Sequence, residues 1–149
     1  SEAILGEMEP QEKTDVEELL EFDEDSAGGV MNSEYIAVPD TGTVADAMRV
    51  IRENEEQADS LTTVFLTDAS GRLTGALPVG RLLLVDASAM LKPLAGGDEV
   101  VSVPVTERRK RVEELVDKYN LMTLPVVDDA GVLVGAVTAD DVISMLRQD

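Results

Sequence analysis

Short apolar runs and amphipathic stretches alternate along this chain in an order that occurs twice. Leu124–Ile143, LPVVDDAGVLVGAVTADDVI, has the pattern of a strand, a tight turn, a second strand and the start of a helix. Thr63–Leu83, TVFLTDASGRLTGALPVGRLL, matches it at a constant offset of 60 positions, with Asp68 on Asp128, Gly71 on Gly131, Leu73 on Leu133 and Gly75 on Gly135. A repeat of this kind must be recognised before any single motif is interpreted.

The segments upstream repeat as well. Tyr35–Val38 is a predicted strand ended by Pro39, and Thr43 is the expected N-cap of a helix that buries Val44, Ala47, Met48 and Ile51. Strands Thr62–Leu66 and Arg72–Leu77 flank the turn Asp68–Gly71, and a short helix over Val79–Val85 closes the unit. In the second unit Val100–Val103 is a strand ended by Pro104, Thr106 takes the N-cap role, and a helix over Glu107–Lys118 buries Val112, Leu115 and Val116. Strands Thr123–Val127 and Val132–Val137 and a helix over Ala139–Leu146 complete it. Here the offset is 65 (Val38 to Val103, Pro39 to Pro104), so the first unit carries an insertion near Glu53–Leu61.

The expected fold class is therefore α+β (mixed α/β): two β-α-β-β-α repeats packed as a pair, preceded by a short helical segment. One such unit leaves much of its sheet exposed, and pairing within the chain completes a core. Residues 10–22 form the preceding helix, with Pro10 in its first turn and Val16, Leu19 and Leu20 on a narrow apolar face. Ser26-Ala27-Gly28-Gly29 breaks that pattern and reads as a linker. The division is 1–25, 26–86 and 87–149.

Composition narrows the function. The net charge is −19, and residues 1–25 hold eleven of the 31 acids against one base, Lys13. So acidic a chain, with only four aromatics, is a poor binder of nucleic acid, which needs clustered Lys and Arg and aromatic platforms. Cations are the more natural partners. No apolar run approaches the ~20 residues that cross a bilayer, and the start does not resemble a signal peptide. The absent initiator Met fits an excised segment of a longer protein, and processing would also explain it. There is no His, no Cys and no P-loop, and the neighbours Asp140 and Asp141 point ~100° apart on a helix, a poor acid–base pair, so an enzyme is not expected.

The motif Val126-Val127-Asp128, Gly131, Leu133, Gly135, Thr138, Asp141, Val142 resembles the end of a CBS domain, and its tandem arrangement over about residues 30–147 resembles a CBS pair, or Bateman module. Ser26-Ala27-Gly28-Gly29-Val30-Met31 followed by Tyr35 is similar to the junction between the helical N domain and the CBS pair of the MgtE magnesium transporter family. That resemblance makes residues 1–25 the end of an N-type domain and places the chain on the cytoplasmic side of the cell membrane. It implies a regulatory module that gates a transmembrane domain by ligand-dependent change of shape. A nucleotide-sensing module of another transporter or of a soluble protein, and a passive dimerisation scaffold, stay open beside it.

The resemblance also implies site residues. Thr138 and Asp141 would bind the phosphate and ribose of an adenosine nucleotide (ATP, ADP or AMP), with Asp140 beside them. Their first-unit counterparts, Pro78 and Arg81, can neither donate nor accept in the same way, so at most one nucleotide per chain is expected. The bland reading is an N-cap for Thr138 and a first-turn acid for Asp141. Asp141 is the surviving candidate for binding Mg2+, since Arg108-Arg109-Lys110-Arg111 stands where family acids would lie and Asn120 replaces another. Arg108 and Lys110 are candidates for contact with nucleotide phosphates or with the acidic N domain; the alternative is a solvated face paired with the chain's own acids. A homodimer through the CBS helices is expected, with the faces around Ala47–Ile51 and Val112–Val116 as its surface.

Overall fold

The computed structural model describes residues 23–97 and 99–148, and the helix expected over residues 10–22 lies outside them. The elements are α1 (Ala27–Val30), β1 (Ile36–Pro39), α2 (Val44–Glu53), β2 (Thr63–Thr67), β3 (Leu73–Pro78), α3 (Leu91–Leu94), β4 (Val103–Pro104), α4 (Arg109–Lys118), β5 (Thr123–Val127), β6 (Leu133–Thr138) and α5 (Ala139–Gln148). Single 3-10 turns cover Glu55–Gln57, within the expected insertion, and Val79–Leu83, where a short helix was expected.

Each repeat is a three-stranded sheet with the same topology. β1 runs parallel to β2 and β2 antiparallel to β3, and β4, β5 and β6 repeat that order. The ladders shift at equivalent places, Leu66/Thr67 and Val126/Val127. The turn chemistry is local. The Asp68 carboxylate accepts the Ser70 and Arg72 N–H groups, and that of Asp128 accepts those of Ala130 and Val132. Gly71 and Gly131 both sit at φ +85°. A Cβ on Gly131 would find only Arg72 Cγ, at 4.0 Å, so the cost of adding one is conformational. Gly131→Ala is expected to destabilise the protein by about 1–2 kcal/mol, measured by urea denaturation. A change below a few tenths would refute the strained-turn account.

Thr43 caps α2 as expected. Its hydroxyl accepts the Asp46 N–H while the Asp46 carboxylate accepts the Thr43 N–H, a closed capping box. Those bonds, led by the Thr43 N–H, hold the Asp46 carboxyl below the ordinary aspartate range. The second repeat differs: the N-cap of α4 is Arg108, not Thr106, and no side chain caps it.

The apolar faces of α2 and α4 are spent inside the repeats. Val44 and Ala47 join Ile36, Val38, Val64 and Leu77 in one core, while Val112, Leu115 and Val116 join Leu124, Val126 and Val137 in the other. Within the expected dimer surface, Ala47 and Val112 are 0% exposed and unavailable to a partner, while Met48 and Ile51 are only partly buried. A third cluster joins the repeats, with Phe65, Leu133 and Ala136 packed against Tyr35, Ala37, Leu73 and Ala76. The hairpin turns interlock across this seam, where Leu73 N–H donates to Gly131 O (3.0 Å) and Leu133 N–H to Gly71 O (3.1 Å).

The segments leading into each repeat cross to the other one. Ser26–Gly29, expected as a linker, forms the cap and first residues of α1, with Ser26 Oγ accepting the Gly29 N–H. Ala27 and Gly28 donate to Glu107 O and Val105 O of the second repeat, both at 2.8 Å, and Asn32 exchanges backbone bonds with Ala136 on β6. Reciprocally, Val44 and Leu91 N–H groups donate to Ala89 O and Gly42 O, tying the second repeat's lead-in to the first. Met31 lies over Gly135 so closely that a Cβ there would stand 3.1 Å from the Met31 Cβ, which explains a glycine inside a strand.

Candidate functional site

The crossing of the lead-in segment creates a cleft of about 240 Å³ at the N-terminal end of α5. Thr138, Asp140 and Asp141 line it from the second repeat, Asn32, Glu34 and Tyr35 from the lead-in, and Thr62, Thr63 and Phe65 from the first repeat. All three residues expected to bind a nucleotide therefore face one space. β6 ends at Thr138 and α5 begins at Ala139, so the turn of chain direction delivers them together.

Asp141 is held by donors. One carboxylate oxygen, Oδ2, accepts the Thr138 N–H and the Asn32 Nδ2–H, both at 3.0 Å, and the Asp141 N–H donates to Thr138 Oγ1 at 3.1 Å. Thr138 and Asp141 thus form a capping box, the structural role open to them from the start. The bond from Asn32 adds what a cap does not require: it fixes the carboxylate of the second repeat to the lead-in segment.

Tyr35, read from the sequence as a strand residue and part of the junction motif but not as a site residue, also lines the cleft. It stands just before β1, half-buried, with its ring edge-on to Phe65 at a centroid distance of 6.3 Å. Burial pushes its phenol above its ordinary value, so it is a neutral hydroxyl donor at neutral pH. A signal did exist, since two of the chain's four aromatics face this cleft.

No Lys or Arg lines the cleft, whereas Glu34, Asp140 and Asp141 do. An adenosine-sized group with hydroxyls to donate suits such a lining; free phosphate does not. Among the described residues no three carboxylates converge as a bound metal ion would require, so the donors around Asp141 do not by themselves fit a magnesium site. The counterpart hollow of about 360 Å³ is lined by Pro78, Leu77, Ala95, Val101, Asn120 and Leu121, among others. Pro78 offers no donor there, and Arg81 is turned to Leu94 O at 2.8 Å.

Arg108 and Lys110 do not line the Thr138 cleft. They border a separate hollow with Asp23 and Asp25. Arg109, half-buried, donates to Met145 O (2.6 Å) and pairs with Glu113 (3.4 Å), clamping α4 to the end of α5. Arg111 pairs with Glu114.

The family model for the CBS domain matches residues 27–88 and 97–148. The chain is 34% identical to the magnesium transporter MgtE of Thermus thermophilus over 142 residues, covering 95% of this chain and 31% of that protein. It is 31% identical to MgtE of Bacillus subtilis, covering 97% and 32%. The chain thus spans about a third of the length of these curated relatives. Among solved structures it resembles the cytosolic domain of the Mg2+ channel MgtE in complex with ATP, at 33% identity and a TM-score of 0.81, over 97% of this chain and 58% of that one.

Proposed function

This chain belongs to the CBS domain family, and from that premise we propose that it is the cytosolic regulatory pair of an MgtE-like divalent-cation transporter. The likeness to two transporters of that name over nearly the whole chain supports this reading. No helix among the described residues is long and apolar enough to cross a membrane, so the pore would be formed by other parts of the parent protein, and gating requires the pair to change shape on binding ligand.

The ligand of the Thr138 cleft is an adenosine nucleotide. The observation that carries this is the meeting of Asp141, Thr138 and the Tyr35 ring in one concave site. In this reading the adenine packs on Tyr35 and the ribose hydroxyls donate to Asp141, where they displace or share the Asn32 amide. Polar ligand groups meet the Thr138 hydroxyl. The cleft is smaller than the usual ~300–1,000 Å³ of a drug-sized site, so it takes the nucleoside while the phosphates stay outside. With three acids and no base around them, those phosphates bring a divalent cation of their own.

Displacing the Asn32 amide removes the side-chain tie between the lead-in segment and α5, which is how binding would be passed to residues N-terminal to the pair. A second copy would dock on exposed apolar side chains, among them Leu83, Leu84, Ile143 and Leu146, to give the dimer.

Titration calorimetry tests the site. Adenosine and AMP are expected to bind without metal, and ATP more tightly with Mg2+ than without. Asp141→Ala should weaken each at least about tenfold, since a hydrogen bond to a charged group contributes about 1.5–3 kcal/mol. Unchanged affinity in that variant would refute the assignment. The complete capping box favours the second reading, a scaffold without ligand, and absence of binding by any adenosine compound or Mg2+ selects it.

A further inference from the structure

We propose that the basic start of α4 is a docking surface for the acidic residues 2–21 of the same chain, held by direct ion pairs with no metal between them. Arg108 and Lys110 project into a hollow of about 690 Å³ bordered by Asp23, Asp25 and Thr106. Both side chains are exposed, and neither has a hydrogen-bond or ion-pair partner among the described residues.

The electrostatics of α4 call for an anion. α2 and α5, also ten residues long, carry acids in the first turn (Asp46; Asp140 and Asp141), whereas α4 carries none, has no side-chain cap and opens with three bases. Arg109 pairs with Glu113 and Arg111 with Glu114, so among the described residues the charges left unmatched at this end of α4 are those of Arg108 and Lys110, on a chain of net charge −19. Asp23 and Asp25 border the hollow, and the Arg109 N–H donates to Asp25 O, so the main chain passes directly beside the bases.

Asp23, at the edge of the hollow, is separated by one residue from the end of that acidic segment. Glu21 lies two residues from Asp23 and Glu18 and Glu17 five and six, within about 20 Å of extended chain. Eight acids and one base occupy residues 2–21, at a high effective concentration next to Arg108 and Lys110. Salt weakens such exposed pairs, which gives the surface a second handle.

Hydrogen exchange of residues 2–21 in the full chain, at low ionic strength, tests this. Exchange is expected to be several-fold faster in the Arg108→Glu/Lys110→Glu double variant than in the unaltered protein. Raising NaCl to about 0.5 M should bring the unaltered protein to the variant's rate. Equal rates in all three conditions would overturn the proposal, and the salt arm decides even if the variant misfolds. Protection that grows with protein concentration would place the segment on another copy and also overturns it. Unchanged exchange with a loss of ATP affinity in the variant would assign these bases to phosphates instead. The adenosine cleft shares no residue with this hollow, so either site can fail without the other.

Discussion

Replacing Phe65 by alanine is expected to cost about 3–5 kcal/mol and to loosen the seam between the repeats. Phe65 is 1% exposed and packs against Leu133 and Ala136 of the other repeat rather than in its own repeat's main core. The removed ring leaves a void that neither rigid hairpin can fill, because the Leu73–Gly131 and Leu133–Gly71 bonds fix their separation. A domain of this size has only about 5–15 kcal/mol to lose. Phe65 also borders both hollows between the repeats, so adenosine binding should fall along with the urea midpoint. A loss below about 1 kcal/mol would mean that the repeats are held together chiefly elsewhere.

Val112→Asp is expected to unfold the second repeat. Val112 is fully buried among Val103, Leu115 and Leu124, and an unpaired carboxylate there costs about 4 kcal/mol or more. Leu146→Glu provides the contrast. Leu146 is 56% exposed, so that variant should fold normally and run as a monomer by light scattering if a second copy docks at α5. A folded, monomeric Val112→Asp would restore the helix face first expected to form the dimer. A folded, dimeric Leu146→Glu would remove α5 from the interface.

The two variants mark the boundary of what amphipathic spacing can say. The apolar positions of α2 and α4 are legible from period alone: Val44, Ala47, Val112, Leu115 and Val116 are buried as expected, while Met48 and Ile51 are only partly so. Period does not say what covers a face. The cover turned out to be the repeat's own sheet, and Leu83, Leu84, Ile143 and Leu146 are among the apolar side chains left exposed.

The candidate site divides the same way. Thr138 and Asp141 are three residues apart at the start of a helix, and hydrogen bonds of that range follow from local backbone geometry. Asn32 is 109 residues from the carboxylate it holds, and Tyr35 reaches the cleft only because the lead-in segment crosses to the second repeat. The basic run at Arg108–Arg111 was evident as a motif, but its separation from the cleft and its position beside Asp23 and Asp25 were not.

By itself the sequence determined the two repeats, the succession of elements along each, the Asp–Gly turns and the Thr138–Asp141 pair, because each is written in patterns of neighbouring residues. The tertiary structure decided which lead-in serves which repeat, which aromatic faces the cleft and which apolar faces stay uncovered. Those depend on how two similar units dock, and docking is set by the shape and burial of surfaces contributed from both ends of the chain.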